Sequence, residues 1–168
     1  MINYRPYTSA DRKACLAIFQ SNTPHFFGAD EAPEFEDFLE RLPCPYYMLE
    51  VDHKPVGCGG YFLDEQQRVA RMCWGMIQRT FHKRRYGKYL LLRRLDEICQ
   101  RPNIKRVSMD TSQHSKGFFE KLGFVVQEVE LDGYFSGLHR HEMELKLDSA
   151  KKSNIHNTLI NLERELEK

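Results

Sequence analysis

The residues Arg84-Arg85-Tyr86-Gly87-Lys88-Tyr89 gather Arg84, Arg85 and Lys88 around one glycine, between an apolar run that reads as a strand and another that reads as a helix. Such a stretch can hold a phosphate. A strand ending near Gln78 and a helix opening near Gly87 would bring unpaired backbone N–H groups and the positive end of the helix dipole to one point. Gly87 would let the backbone approach an anion closely, and the cations would add charge around it. Taken by itself, the loop also reads as a solvated basic turn. Other chemistries are poorly served. Cys15, Cys44, Cys58, Cys73 and Cys99 form no Cys-x-x-Cys pair, and an odd count does not suit a disulfide framework. His139 and His141 would share one face of a strand, but no cluster of Cys or carboxylates stands near them at ligand spacing, so no metal site is predicted.

The elements that must position this loop follow from hydrophobic period. Ile2 to Tyr7 alternates as a strand, and Ala14, Cys15, Ile18 and Phe19 repeat as a helix after the capping residues Thr8, Ser9 and Asp11. Phe35, Phe38, Leu39 and Leu42 predict a helix over Glu34–Leu42, stopped by Pro43 and Pro45. Tyr46–Val51, Val56–Leu63 and Val69–Gln78 read as an antiparallel meander. From Gly87 to Arg101 the period changes, with Tyr89, Leu91, Leu92, Leu95 and Ile98 on one helical face and Arg93, Arg94, Asp96 and Glu97 largely on the other. Arg106–Asp110 is a short strand, which this crossover makes parallel to Val69–Gln78. Ser115–Leu122 is a helix capped by Gly123, and Phe124–Leu131 with His141–Leu147 is a hairpin around Asp132–Gly137.

The predicted class is therefore mixed α/β: a mostly antiparallel sheet of about six or seven strands with one parallel pair. One domain is expected over residues 1–147, with an amphipathic helical extension over 148–168 whose stripe Ile155, Leu159, Leu162 and Leu166 offers a seam for a homodimer. With 25 Lys and Arg against 24 Asp and Glu, the charge balance gives no reason to expect nucleic acid or an anionic membrane as a partner. No apolar run approaches the roughly 20 residues of a membrane span, and Met1–Arg5 does not open a signal peptide, so the cytoplasm is the expected location.

The basic glycine loop opening a central helix, followed by Phe118-Phe119-Glu120-Lys121-Leu122-Gly123-Phe124, resembles the GNAT superfamily of acetyl-CoA-dependent N-acyltransferases. The resemblance covers roughly Ile2 to Leu147. Arg84 and Gly87 match the family's Gln/Arg-x-x-Gly-x-Gly/Ala loop, and Tyr89 replaces its last small residue. Trp74–Gln78 and the block Thr111-Ser112-Gln113-His114 look like a bacterial subgroup of the same family. The resemblance implies a V-shaped opening between the two parallel strands with acetyl-CoA wedged in it. Met76, Ile77 and Gln78 would then pair with the pantetheine through their main chain, Arg84 to Tyr89 would hold the pyrophosphate, and Ser112, Phe118 and Phe119 would border the cofactor. The implied reaction is acetyl transfer to a primary amine of a small or amino-acid-like acceptor. A non-catalytic acyl-CoA-binding or sensing domain is the alternative.

Two departures motivate that alternative. Many relatives carry a glutamate base where Cys73 stands, and a tyrosine acid where Phe119 stands. Direct transfer then relies on proximity, which is worth roughly 7–11 kcal/mol in well-oriented sites, or on other proton carriers. His114, at the mouth of the implied cleft, is the first candidate, and Tyr134, at the hairpin tip, the second. Phe26, Phe27, Glu31 and Glu34 lie where this fold commonly borders the acceptor; they equally suit core packing and helix N-terminal charge.

Overall fold

Short turns between alternating runs build a single sheet in the order β1-β2-β3-β4-β5-β7-β6. The computed structural model describes residues 1–167. The strands are β1 (Ile2–Pro6), β2 (Tyr46–Val51), β3 (Lys54–Asp64), β4 (Val69–Ile77), β5 (Arg106–Ser112), β6 (Val125–Phe135) and β7 (Leu138–Lys146). Every neighbouring pair is antiparallel except β4 and β5, which the crossover helix α3 (Tyr86–Cys99) makes parallel, as the period change predicts.

Each face of the sheet carries its own core. Helices α1 (Arg12–Ser21) and α2 (Ala32–Arg41) cover one face through Cys15, Ile18, Phe19, Phe35, Phe38 and Leu39. The other face packs against α3 and α5 (Ser149–Leu166), whose Ile155, Leu159 and Leu162 are buried beside the α3 leucines. The stripe on α5 is therefore spent inside the chain, not left open as a seam. Lys168, the last residue of the expected extension, lies outside the described residues. Asp148 starts α5 by accepting the Lys151 N–H at 2.7 Å.

Three local expectations change. The hairpin turn is only Ser136-Gly137, because β6 runs through Asp132-Gly133 as an irregularity with Asp132 at φ 55°. The helix α4 is short, Lys116–Glu120, and ends in the predicted turn at Gly123, whose φ is 95°. Arg94 is buried, not solvent-facing: it lies three and four residues from Leu91 and Leu90, on the stripe of Leu95 and Ile98.

Candidate active site

The sheet opens where β4 and β5 stop pairing. They pair only from Val69–Arg71 to Arg106–Ser108, yet β4 continues to Ile77 and β5 to Ser112. The expected V-shaped gap therefore has an unpaired strand edge on each side. A register shift between Cys58 and Gly60 marks a bulge in β4, where Trp74 takes φ 43°. Trp74 turns into the α1–α2 core, 4.9 Å from Phe35 and 6.1 Å from Phe27 between ring centroids.

Of the three main-chain partners expected on β4, Gln78 is withdrawn. Its N–H donates to the Val56 carbonyl at 2.8 Å, and its carbonyl accepts the Phe81 N–H at 2.8 Å. By the two-residue alternation of an antiparallel ladder, Met76 turns its groups the same way as Gln78, toward β3, and Ile77 turns its own to the gap. The Ile77 carbonyl is already held by Asn22 Nδ2 at 2.8 Å, with His82 Nε2 also at 2.8 Å. The Ile77 N–H is thus the group this stretch offers a ligand.

Beyond Ile77 a 3-10 turn, Arg79–Phe81, leads into α3 through Lys83 and Arg85, which have φ 62° and 67°. Among the described residues, the backbone N–H groups from Lys83 to Lys88 find no acceptor. Tyr89 differs from the expectation: its N–H donates to the Arg85 carbonyl at 3.0 Å, and its buried hydroxyl donates to Glu163 of α5 at 3.2 Å. That bond ties the start of α3 to α5. Gly87 sits over the end of β4, where an added Cβ would lie 3.7 Å from Ile77 and 4.0 Å from Phe118, ordinary contact distances. The protein's own packing does not demand glycine there, and glycine costs a helix roughly 0.5–1 kcal/mol relative to alanine. An anion drawn close to the backbone would demand it. Arg84 stacks on Phe81 at 5.3 Å, and Arg85 pairs with Glu165. A cavity of about 330 Å³, lined by Arg85, Lys88, Thr158, Asn161, Leu162 and Glu165, adjoins the cradle. A pyrophosphate fits this donor set. Phe118 is partly exposed beside Gly87, while Phe119 packs on Phe124 at 5.8 Å. Ser112 is buried and belongs to β5, where it pairs in register with Arg140.

On the acceptor side, Phe26 and Phe27 part company. Phe27 packs on Phe19 at 5.5 Å and serves the core, whereas Phe26 stands among His25, His82 and Arg79 at 4.5, 5.3 and 5.0 Å. His114 is exposed and stacks on His25 at 4.2 Å, and burial together with that neighbour lowers the His25 proton affinity. The Glu31 carboxylate accepts the Gly28 N–H at 2.7 Å, while burial raises its proton affinity above the usual glutamate range. Burial, then the Asp110 and Glu31 charges, keep the Tyr134 hydroxyl protonated. Glu31 and Asp110 thus stand near enough to Tyr134 for their charges to act on its hydroxyl. Asp110 and Glu130 are both held by Arg140, at 3.4 and 2.8 Å. Cys73 lies 3.5 Å from Cys44, and that contact, followed by burial, keeps its thiol protonated. The sequence reading missed His25, His82 and Asn22, which no local pattern marks, and Arg94, whose place on the apolar stripe was the available signal.

The fold is similar to those of several solved structures. The ribosomal-protein-S18-alanine N-acetyltransferase of Escherichia coli is 14% identical, with TM-score 0.73 over 88% of this chain and 95% of its own. A chimera of the spermidine N-acetyltransferase SpeG of Vibrio cholerae with hSSAT is 14% identical, with TM-score 0.69 over 93% and 98%. The yncA protein of Salmonella typhimurium, solved with its cofactor acetyl-CoA, is 17% identical, with TM-score 0.69 over 89% and 95%. Nothing among curated protein sequences matches the chain. The model of the acetyltransferase (GNAT) family matches residues 12–124, which span the cradle, the gap and the α4 turn, and the chain belongs to that family.

Proposed function

We propose that this chain transfers an acetyl group from acetyl-CoA directly to a primary amine of a small or amino-acid-like acceptor, in the gap between β4 and β5. The carrying observation is the run of N–H groups from Lys83 to Lys88 that find no acceptor among the described residues, with a glycine in it that packing does not require, at the end of an unpaired parallel edge. Acetyl-CoA, the donor of the family, supplies an activated thioester when bound. The cradle anchors its pyrophosphate, and the Ile77 N–H positions the arm.

Glu31 takes the proton that the acceptor ammonium must shed, since its raised proton affinity brings a carboxylate closer to the working pH of a base. Tyr134 donates a hydrogen bond into the same space, and His114 with His25 passes protons at the mouth. The aromatic wall of Phe26 with the carboxylates of Glu31 and Asp110 suits a cationic acceptor. The protonated Cys73 thiol and the packed Phe119 ring favour a second reading, cofactor binding without turnover.

Calorimetric titration with acetyl-CoA, in parallel with Gly87→Glu, tests the donor site. Saturable binding by the wild type, lost in the variant, is the expected result, and no binding by the wild type refutes the assignment. A screen of amines by thiol release then separates the two readings.

A further inference from the structure

Arg94 is 5% exposed, and its guanidinium has no carboxylate within ion-pairing distance among the described residues. Nε donates to the Leu90 carbonyl at 3.1 Å and Nη1 to the Gly60 carbonyl at 3.2 Å. Its titratable neighbours include Tyr4 of β1, Tyr46 of β2, Cys58 of β3 and Cys73 of β4, and burial keeps the Tyr4 and Tyr46 hydroxyls protonated. A buried cation without a partner is costly, and a well-packed apolar residue of similar volume commonly stabilises such a position. The fold nonetheless makes room for it. A Cβ at Gly59 would lie 2.8 Å from Cζ, and one at Gly75 would lie 2.7 Å from Nη2, so both strand residues must be glycine for the charge to reach the sheet. Gly75 is exposed and follows the Trp74 bulge, beyond the last paired residue Arg71. The charge therefore lies beneath Gly59 of β3 and Gly75 of β4, the second on the stretch of β4 whose other edge is unpaired and lines the gap.

We propose that Arg94 is the buried positive charge that stabilises the negative charge developed in acyl transfer, on the carbonyl oxygen and on the departing sulfur, acting across Gly75. This rests on the acetyltransferase reading above. In that reaction the acceptor ammonium first loses a proton to Glu31, the freed amine lone pair forms the C–N bond, the pair of the C–S bond leaves on sulfur, and the second nitrogen proton, acidic once that bond has formed, passes to water by way of His25 and His114 at the mouth. Phe119 has no proton to give the sulfur, and Cys73 holds its own too tightly to be a ready acid, so a fixed cation that lets the thiolate leave without a proton serves the site. A fixed cation in a water-poor site supplies that without reorganisation.

The test titrates the thiol of CoA bound to the enzyme, by thiolate absorbance, in the wild type, Arg94→Met and Arg94→Lys. The wild type should ionise bound CoA at a lower pH than free CoA. Arg94→Met should raise that pH by about one unit, a tenfold change in the ionisation constant. Arg94→Lys should recover most of the shift, and kcat should follow the same order while the KM for acetyl-CoA holds. Ionisation of wild-type-bound CoA at the free value overturns the proposal, even if Arg94→Met does not fold. A folded, CoA-binding Arg94→Met that titrates like the wild type overturns it too. If the wild type binds no CoA, the acetyltransferase reading falls first and takes this proposal with it.

Discussion

The two halves of the sheet treat the same face in opposite ways. Over β1–β4 that face is closed by α1 and α2 and filled with rings: Phe35 lies 5.4 Å from Phe19, 4.9 Å from Trp74 and 6.5 Å from Tyr46. On β5, β7 and β6 it carries Asp110, Arg140 and Glu130 in ion pairs that stay partly exposed. Hydrophobic burial stabilises the first half, whereas partly exposed ion pairs contribute little to stability. The second half is free to carry chemistry, and the gap lies at the boundary, where β4 and β5 part. Substitutions in the first half should therefore act on stability, and those in the second on turnover.

The largest effect expected is on the closed half. Phe35→Ala empties a fully buried aromatic site and should cost about 4 kcal/mol in urea denaturation. A variant that keeps its stability but loses turnover would break the division. At the boundary, Gly87→Glu should weaken acetyl-CoA at least about 100-fold, or about 2.7 kcal/mol, without lowering the melting temperature by a comparable amount. Where the start of α2 faces the open half, Glu31→Gln should lower kcat/KM about 30-fold and remove an acidic limb lying above the ordinary glutamate value. Its stability should go the other way. Because the folded protein holds the Glu31 proton more tightly than the unfolded chain, this residue's contribution falls as pH rises past the unfolded value. The glutamine variant should then be at least as stable as the wild type at neutral pH.

A smaller test returns to the closed half. Arg5 makes two hydrogen bonds to Asp11, at 2.8 and 2.7 Å, and holds its carboxyl down to about 2. A depressed carboxylate contributes stability above its unfolded value and loses it on acidification. Asp11→Asn should cost about 1–2 kcal/mol at pH 7, with the difference fading between about pH 4 and pH 2 in acid-unfolding curves. Least of all, Glu165→Gln should free Arg85 and tighten acetyl-CoA about twofold, the scale of an exposed ion pair.

Local residue chemistry carried much of this. The cradle was legible because a strand, a basic glycine turn and a helix start are neighbours in the chain, and a helix N-terminus leaves its N–H groups free wherever it folds. The α/β class and the parallel pair followed from the change of period between Val69–Ile77 and Tyr86–Cys99. The hairpin turn was misplaced because Asp132-Gly133 carries the composition of a turn, while the structure uses it as an irregularity inside β6. Glu31 and Tyr134 were legible as residue types, but not as neighbours.

The sequence alone determined which residues recur on each face, where an anion is welcome, and that Cys73 and Phe119 cannot play the family's usual parts. Only the tertiary structure decided which groups remain free to act. Gln78 and Tyr89 lose their backbone N–H groups to partners, Ile77 keeps one, and Arg94 is enclosed beneath two glycines with no counter-charge among the described residues. Availability depends on what packs against a group across the sheet, and neither period nor spacing along the chain encodes that contact.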